Sequence, residues 1–516
     1  MLDREITLVQ NPETMAYANI RDFIVKLEKE NRLIRVSEPV STYLEMTEIQ
    51  SRLLAEDGPA VLFENVVNAA GSSQRIPVLA NLFGTVERVA WGLEKSPEEL
   101  RAFGEQLAFL RQPEPPGGWQ EAIDMLPLLK TVMAMKPKRV TSAPCQEIVL
   151  TGHDIDLQKL PIQTCWPDEP SPLITWPLVV TQGDDRKTNI GIYRMQVTGR
   201  DTTLMRWLAH RGGAKHADDA AREGLVSVPA AAVIGVDPAT IIAAVAPVPE
   251  TMSEYQFAGL LRGKKLTLVD CKTVPLQVPA EAEIVIEGHV SLTESGMEGP
   301  FGDHTGYYNA VEPFPVFTVS AITMRRDPIY LTTFTGRPPD EPSVLGRSLN
   351  DIFIPLLVQQ FPEIVDFWLP PEACSYRVAV VSIRKTYPGQ AKRIMMGVWS
   401  YLKQFMYTKF VIVVDQDIDA RKWEDVIWAI STNVDAARDV TTIENTPIDY
   451  LDFASPVEGL GSKMGIDATA KIGSETNREW GQKLRMSDEI IEEVTRKWND
   501  YGLPGEGRDI WISKDG

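Results

Sequence analysis

Apolar residues first recur at helical spacing near the start of the chain. Ile20, Phe23, Ile24 and Leu27 fall on one face of the stretch from Tyr17 to Glu30, which predicts an amphipathic helix. Thr42 to Ala55 repeats the pattern and stops before Gly58, while Leu33–Val36, Ala60–Phe63 and residues 76–79 are short apolar runs of strand length. Alternating helix and strand signals predict a small α/β domain over residues 1–120, closed by a linker at Pro113 to Gly118.

The pattern then changes. Short apolar runs at residues 148–150, 178–181, 190–197, 231–236, 241–245, 284–286 and 316–322 are separated by turn residues, which predicts a β-rich domain over 121–340, curled or closed into a barrel. A helix is expected from Glu250 to Leu261. Over residues 341–516 helix and strand signals alternate again. A strand at 376–383, a helix at 390–406 and a strand at 410–414 form a βαβ unit in a second α/β domain. A helix at 421–431 groups Trp423, Val426, Ile427 and Ile430. Ser487 is placed to cap a terminal helix with Ile490, Ile491, Val494, Trp498 and Tyr501 on one side, a face expected to dock on its own domain or on a neighbouring subunit. The fold class is therefore mixed α/β, with no internal repeat.

Composition narrows the function. The 516 residues carry a net charge of −19, so a nucleic-acid partner is excluded for lack of a basic stripe. Cys145, Cys165, Cys271 and Cys374 form no CxxC pair, which fits a reducing compartment and gives no zinc framework. The first residues lack the layout of a signal peptide, and the apolar region 226–248 is broken by Pro229, Asp237, Pro238 and Pro247, so a cytoplasmic enzyme is expected.

Candidate chemistry concentrates in Glu298-Gly-Pro-Phe-Gly-Asp303-His-Thr-Gly306. Its three glycines and proline disfavour helix and central strand, so tight turns would aim two carboxylates into one cleft. Like charge and burial would then separate their pKa values, leaving one ionised and the other able to deliver a proton. Taken alone, the stretch also reads as a solvated acidic turn. Asn189 to Arg194 is strand-like, with Gly191 available to bend it. Arg194 suits a carboxylate substrate and Asn189 offers a neutral oxygen to a hard cation. Glu254 opens a helix and would complete an oxygen-rich site. Gly212 and Gly213, with Arg211, present amides and charge to a phosphate.

NIGIYR at 189–194, RWLAHRGG at 206–213, PVPETMSEY at 247–255 and EGPFGDHTGYY at 298–308 occur in this order, and the chain thereby resembles the UbiD-type decarboxylases, especially those acting on 4-hydroxy-3-polyprenylbenzoate in ubiquinone biosynthesis. The resemblance extends to GSKMGIDAT at 461–469 and REWG at 478–481 and covers nearly the whole chain. It implies a central split-barrel-like domain binding prenylated FMN, a divalent ion, usually manganese, tying the cofactor phosphate to the protein, and potassium beside it. Asn189 and Glu254 would be the metal ligands. Ile192, Tyr193, Arg194, Arg206, Trp207, Leu208, Arg211, Gly212 and Lys403 would line the cofactor. Arg194, Glu298 and Asp303 would be the catalytic group, with Asp303 the proton donor. Several relatives carry a histidine as third metal ligand where this chain has Arg206, a side chain with no acceptor. The ion then uses two side chains with phosphate and water, or His210 substitutes. Several relatives also carry Glu at the Asp303 position.

The chemistry explains the cofactor: decarboxylation leaves charge in an orbital outside the ring π-system, which no side chain stabilises well. The resemblance further implies a flavin prenyltransferase as cofactor supplier, a dimer or hexamer built through the C-terminal domain, and peripheral contact with the inner face of the membrane or with a quinone-synthesis complex. Three rivals stay open: a relative acting on another aromatic or α,β-unsaturated acid, a non-catalytic flavin-binding component, and an oxygen-ligand metallohydrolase using Glu254 and Asp303.

Overall fold

The structure is a computed structural model and describes residues 17–111, 131–183, 187–208, 212–248, 252–401 and 403–505; for Arg111, Lys403 and Gln404 it describes the backbone alone. The expected linker at 113–118, together with Arg211 and His210, lies outside the described residues. The chain divides into two compact units, one of residues 1–100 with 112–349 and the other of 101–111 with 350–516.

In the first unit the N-terminal helix is Ile20–Lys29, started by Asn19, whose side chain accepts from the amides of Arg21 and Asp22. Its buried face is the expected one, Ile20, Phe23, Ile24 and Leu27. A small sheet comes next, in the order Leu33–Val36, Ala60–Phe63, Val78–Ala80, Tyr330–Leu331. The last of these strands comes from far along the chain, shortly after the strand Glu312–Met324, and so ties the small sheet to the β-rich region.

The site is built on a sheet of nine strands. Eight of them run in the order Thr188–Ile192, Leu178–Gln182, Ser227–Ile234, Ile284–Glu298, Glu312–Met324, Thr202–Met205, Met195–Val197, Leu173–Ile174, and Ile148–Thr151 also pairs with Glu312–Met324. This order requires curling. Thr188–Ile192 and Met195–Val197 are six strand positions apart, about 29 Å on a flat sheet. The chain joins them through Tyr193 and Arg194 alone, a reach of about 10 Å. The sheet must therefore bend round until its two ends meet, and Arg194 sits where they do.

Three expectations need correction here. The single strand expected over 190–197 is two strands with Arg194 between them. The apolar run at 241–245 is a helix, Pro238–Val245: Asp237 caps it by accepting from the Thr240 amide at 3.1 Å, and Pro238 occupies the first turn. A run apolar on every side carries no period, and the cap decides it. The hairpin of Ile284–Glu298 and Glu312–Met324 is far longer than the runs at 284–286 and 316–322 suggested.

The second unit has a five-stranded sheet in the order Ile364–Trp368, Val378–Ile383, Phe410–Asp415, Leu460–Ala468, Val440–Pro447. Val378–Ile383 and Phe410–Asp415 are parallel and joined by the helix Gln390–Tyr401, the expected βαβ unit. On the helix Trp423–Asn433 the buried positions are Val426, Ala429 and Asn433; Ile427 and Trp423, grouped with Val426 from the sequence, are exposed. The 20-residue helix Glu341–Gln360 went unread because Gly346 and Pro355 interrupt its pattern. The terminal helix Asp488–Lys497 begins after Ser487, whose side chain makes no capping bond, and buries no residue; docking of its apolar face on its own domain is not what the described residues show. Among the described residues no helix is long and apolar enough to cross a membrane.

Candidate active site

Two adjacent strand ends set out the cations. Met195 and Met205 are partners in an antiparallel pair, so Arg194 and Arg206 extend that ladder side by side, with the Arg206 amide donating to the Arg194 carbonyl at 3.2 Å. Glu298 is the last residue of its long strand and is opposite Glu312. Two glutamates facing each other across a ladder repel. Arg206 resolves this by donating to Glu298 Oε2 at 2.5 Å and to Glu312 Oε2 at 3.4 Å.

Glu298 is fully buried and binds both arginines. Arg194 donates from Nε to Glu298 Oε1 at 2.8 Å and from NH2 to Oε2 at 3.2 Å. Its NH1 donates to Asp303 Oδ2 at 3.0 Å and its NH2 also reaches Asn309 Oδ1 at 2.8 Å. The Arg194 guanidinium lies over the Phe301 ring at 5.3 Å and that of Arg206 over Phe314 at 4.8 Å, so both cations are walled by aromatic faces. The three residues singled out from sequence as a catalytic group thus meet in one cluster.

The loop between the two long strands is a compact fold of its own. Asn309 Oδ1 accepts from the Phe301 amide at 2.8 Å as well as from Arg194, and the Asn309 amide donates to the Phe301 carbonyl at 3.0 Å. Within it, the Asp303 amide donates to Tyr307 O and the Gly306 amide to Asp303 O, a tight turn that presents the Asp303 side chain to Arg194. Gly302 has no room for a side chain: a Cβ there would sit 2.1 Å from Trp166 Cδ1.

His304 Nδ1 is 2.8 Å from Asp303 Oδ1, and the His304 amide donates to the same oxygen. Burial by itself would raise the Asp303 pKa. The His304 hydrogen bond and the Arg194 charge outweigh it and hold the carboxyl well below the usual carboxylate range. Asp303 is therefore ionised in this arrangement.

A second cluster lies around the residues expected to hold metal and cofactor. Glu254 begins the helix Glu254–Arg262, which Ser253 and Gln256 cap reciprocally. Its Oε2 accepts from the Ile190 amide at 3.0 Å, one residue from Asn189, and burial raises its pKa. The helix Gly212–Arg222 starts against the same strand: a Cβ on Gly212 would lie 1.8 Å from Asn189 Oδ1, and one on Gly213 2.5 Å from Trp207 Nε1. The Gly213 amide, expected to face a phosphate, instead donates to the Tyr193 hydroxyl at 3.2 Å. Ile192 and Leu208 are half-buried, and Tyr193 and Trp207 are buried.

Arg206 occupies the position at which a metal-binding histidine was considered, and its partners are Glu298 and Glu312. Among the described residues no group of three His, Cys, Asp or Glu side chains is placed to hold a metal. Asn189 and Glu254 nevertheless fit an oxygen-ligand cation, because a half-buried carboxylate without a cationic partner among the described ion pairs is what such an ion neutralises. Trp207 Nε1, buried with no hydrogen-bond partner among the described residues, is a donor suited to a polar cofactor. Sequence reasoning missed Asn309, Glu312 and Glu169; each acts through backbone or strand register that no local motif reveals.

Family models match most of the chain. The 3-octaprenyl-4-hydroxybenzoate carboxy-lyase N-terminal domain matches residues 24–107, its Rift-related domain 137–338 and its C-terminal domain 343–468. Among solved structures, the UbiD-class enzyme HmfF from Pelotomaculum thermopropionicum in complex with FMN is 30% identical with a TM-score of 0.76, covering 94% of this chain and 100% of that one. Vanillic acid decarboxylase from Sedimentibacter hydroxybenzoicus in its closed form is 28% identical with a TM-score of 0.81, covering 95% and 100%. The 3,4-dihydroxybenzoic acid decarboxylase from Enterobacter cloacae, 23% identical with a TM-score of 0.72 over 92% and 99%, shares the fold. With three domain models in chain order and a relative matched end to end, the chain belongs to the UbiD family of carboxy-lyases.

Proposed function

We propose that this decarboxylase removes carbon dioxide from 3-polyprenyl-4-hydroxybenzoate, giving 2-polyprenylphenol in ubiquinone biosynthesis, with prenylated FMN and a divalent ion, manganese in our reading, beside potassium. The observation that carries the reading is the buried cluster of Arg194, Glu298 and Asp303. Vanillic acid, named for one similar enzyme, is itself a 3-substituted 4-hydroxybenzoic acid, which favours this substrate class. Bound, the flavin would supply the electron sink that the departing carboxylate requires. Asn189 and Glu254 would hold the metal, and Ile192, Tyr193, Arg206, Trp207, Leu208 and Gly212 would line the cofactor, with Arg211 and Lys403 as further contacts.

The chain's own residues have defined tasks. Arg194 has Glu298 on one side of its fork and Asp303 on NH1. A substrate carboxylate takes NH1 by displacing Asp303. Glu298 keeps the guanidinium in plane throughout, because Arg206 holds that carboxylate from behind. Displaced from Arg194, Asp303 loses a charge that kept it acidic, while burial still favours its neutral form. It takes a proton through His304 and delivers it to the ring carbon as the carbon–carbon bond breaks. Carbon dioxide leaves, one carbon–hydrogen bond forms, and no electrons are gained or lost overall. The protein would receive its cofactor from a flavin prenyltransferase, work as a homo-oligomer joined through the C-terminal unit, and meet its polyprenyl substrate at the membrane surface.

The test is release of labelled carbon dioxide by flavin-loaded protein from a panel of 3-substituted 4-hydroxybenzoates and α,β-unsaturated acids. Fastest turnover of polyprenyl substrates supports the reading. Preference for short or unsaturated acids overturns the substrate and keeps the reaction class.

A further inference from the structure

Glu169 is a buried carboxylate, 8% exposed, that makes no ion pair among the described residues. Both of its oxygens are spent on backbone. Oε2 accepts from the Cys165 amide at 2.6 Å and Oε1 from the Gly302 amide at 3.3 Å. Gly302 directly precedes Asp303, so its amide lies one peptide unit before the acid. The segment that carries Glu169 is itself well anchored. Thr164 exchanges backbone hydrogen bonds with Thr42 and Leu44, each at 2.9 Å. Trp166 donates to the Thr335 carbonyl at 2.9 Å, packs edge-on against Phe334 with ring centroids 5.9 Å apart, and lies flush on Gly302.

Burial raises the Glu169 pKa to about 7, and a polar group in such a place is costly unless its hydrogen bonds are made. Here its two oxygens accept from amides of two segments, and one of those amides leads into the turn that aims the acid. We infer that Glu169 is a positioning residue for the decarboxylation: it fixes the Phe301–Gly302 peptide, the unit just before Asp303, so that Asp303 rests on Arg194 until substrate displaces it and is then within reach of the reacting carbon. This rests on the reaction proposed above, but the placement of Asp303 can be read without turnover. A group misplaced by about an ångström costs catalysis far more than it costs folding.

The experiment compares Glu169→Ala and Glu169→Gln as flavin-loaded protein. Glutamine retains one acceptor oxygen and the shape of the side chain; alanine retains neither. The Ala variant should lose tenfold or more in kcat with KM changed less than about threefold, and the Gln variant should recover most of that loss. Crystal structures of the two variants give the second reading: in Glu169→Ala the Asp303 carboxylate should leave hydrogen-bond distance of Arg194 NH1, and in Glu169→Gln it should stay. Unchanged Asp303 geometry in the Ala variant, or kcat losses in both variants that only track the fraction unfolded, overturns the inference. A wild-type enzyme inert on every acid, with Asp303 displaced in the Ala variant, would refute the reaction and leave the positioning role standing.

Discussion

Replacing Glu298 by glutamine perturbs the site at its centre. The carboxylate accepts from two arginines through three hydrogen bonds, at 2.8, 3.2 and 2.5 Å, with no exposure to solvent. A carboxamide keeps one acceptor and turns two N–H donors toward guanidinium donors. Removing one partner of a buried ion pair costs about 3–5 kcal/mol because the other charge is stranded. Here each arginine keeps a second carboxylate, Asp303 for Arg194 at 3.0 Å and Glu312 for Arg206 at 3.4 Å, so the lower end of that range applies, about 3 kcal/mol. Equilibrium urea unfolding of the flavin-free protein at fixed pH measures it. A cycle with Arg206→Met sharpens the test. Once Glu298 is neutral, removing the Arg206 charge relieves repulsion, so the double variant should be more stable than the two single changes sum to by about 2 kcal/mol. A Glu298→Gln protein within about 0.5 kcal/mol of wild type, or strict additivity in the cycle, would show that Glu298 does not bind the two arginines together, against a scale on which contacting residues couple by about 0.5–3 kcal/mol.

The same geometry sets four further outcomes. Asp303→Asn should lower kcat by about 10²–10⁴-fold while flavin content, read by absorbance, stays at the wild-type level. Asn189→Ala should lose divalent metal and flavin together, and stoichiometric manganese by elemental analysis would remove Asn189 from the metal site. Gly302→Ala forces a methyl to 2.1 Å from the Trp166 ring and should destabilise by about 1–3 kcal/mol in urea unfolding, with a larger proportional loss of kcat. Burial raises the Glu341 carboxyl to about 7, so its contribution to stability is full below about pH 4.5 and is lost as pH rises to 7, about 3 kcal/mol in all. The melting temperature of wild type should fall relative to Glu341→Gln across that window, and parallel curves would contradict it.

Much of this fold was legible because local pattern and tertiary burial agree. The face of Ile20–Lys29, the strands Leu33–Val36 and Ala60–Phe63, and the βαβ unit around Gln390–Tyr401 can be read from period alone. Pro238–Val245 was misread because an all-apolar run has no period, and its Asp237 cap outweighed the β-branched residues within it. That the central sheet curls was read from its many short strands; which strand ends meet was not, since it depends on pairing between distant segments. That closure brings Arg194, Arg206, Glu298 and Asp303 together. Arg206 was read as a cofactor-lining cation standing where relatives carry a metal ligand; its bonds to two carboxylates emerged from the Met195–Met205 register and the Glu298–Glu312 pair. Glu169 carried no signal at all, because its partners are backbone amides contributed by two loops.

The central claim is that Arg194, Glu298 and Asp303 act together on a carboxylate over a bound flavin. The most direct measurement is labelled carbon dioxide release from carboxyl-labelled 4-hydroxybenzoates, using protein co-produced with a flavin prenyltransferase, for wild type and Asp303→Asn side by side. The account predicts release by the wild type and at least a hundredfold less from a variant carrying equal flavin, the lower bound for loss of a general acid. Equal release by the two proteins, or none from fully loaded wild type on any acid, would contradict it.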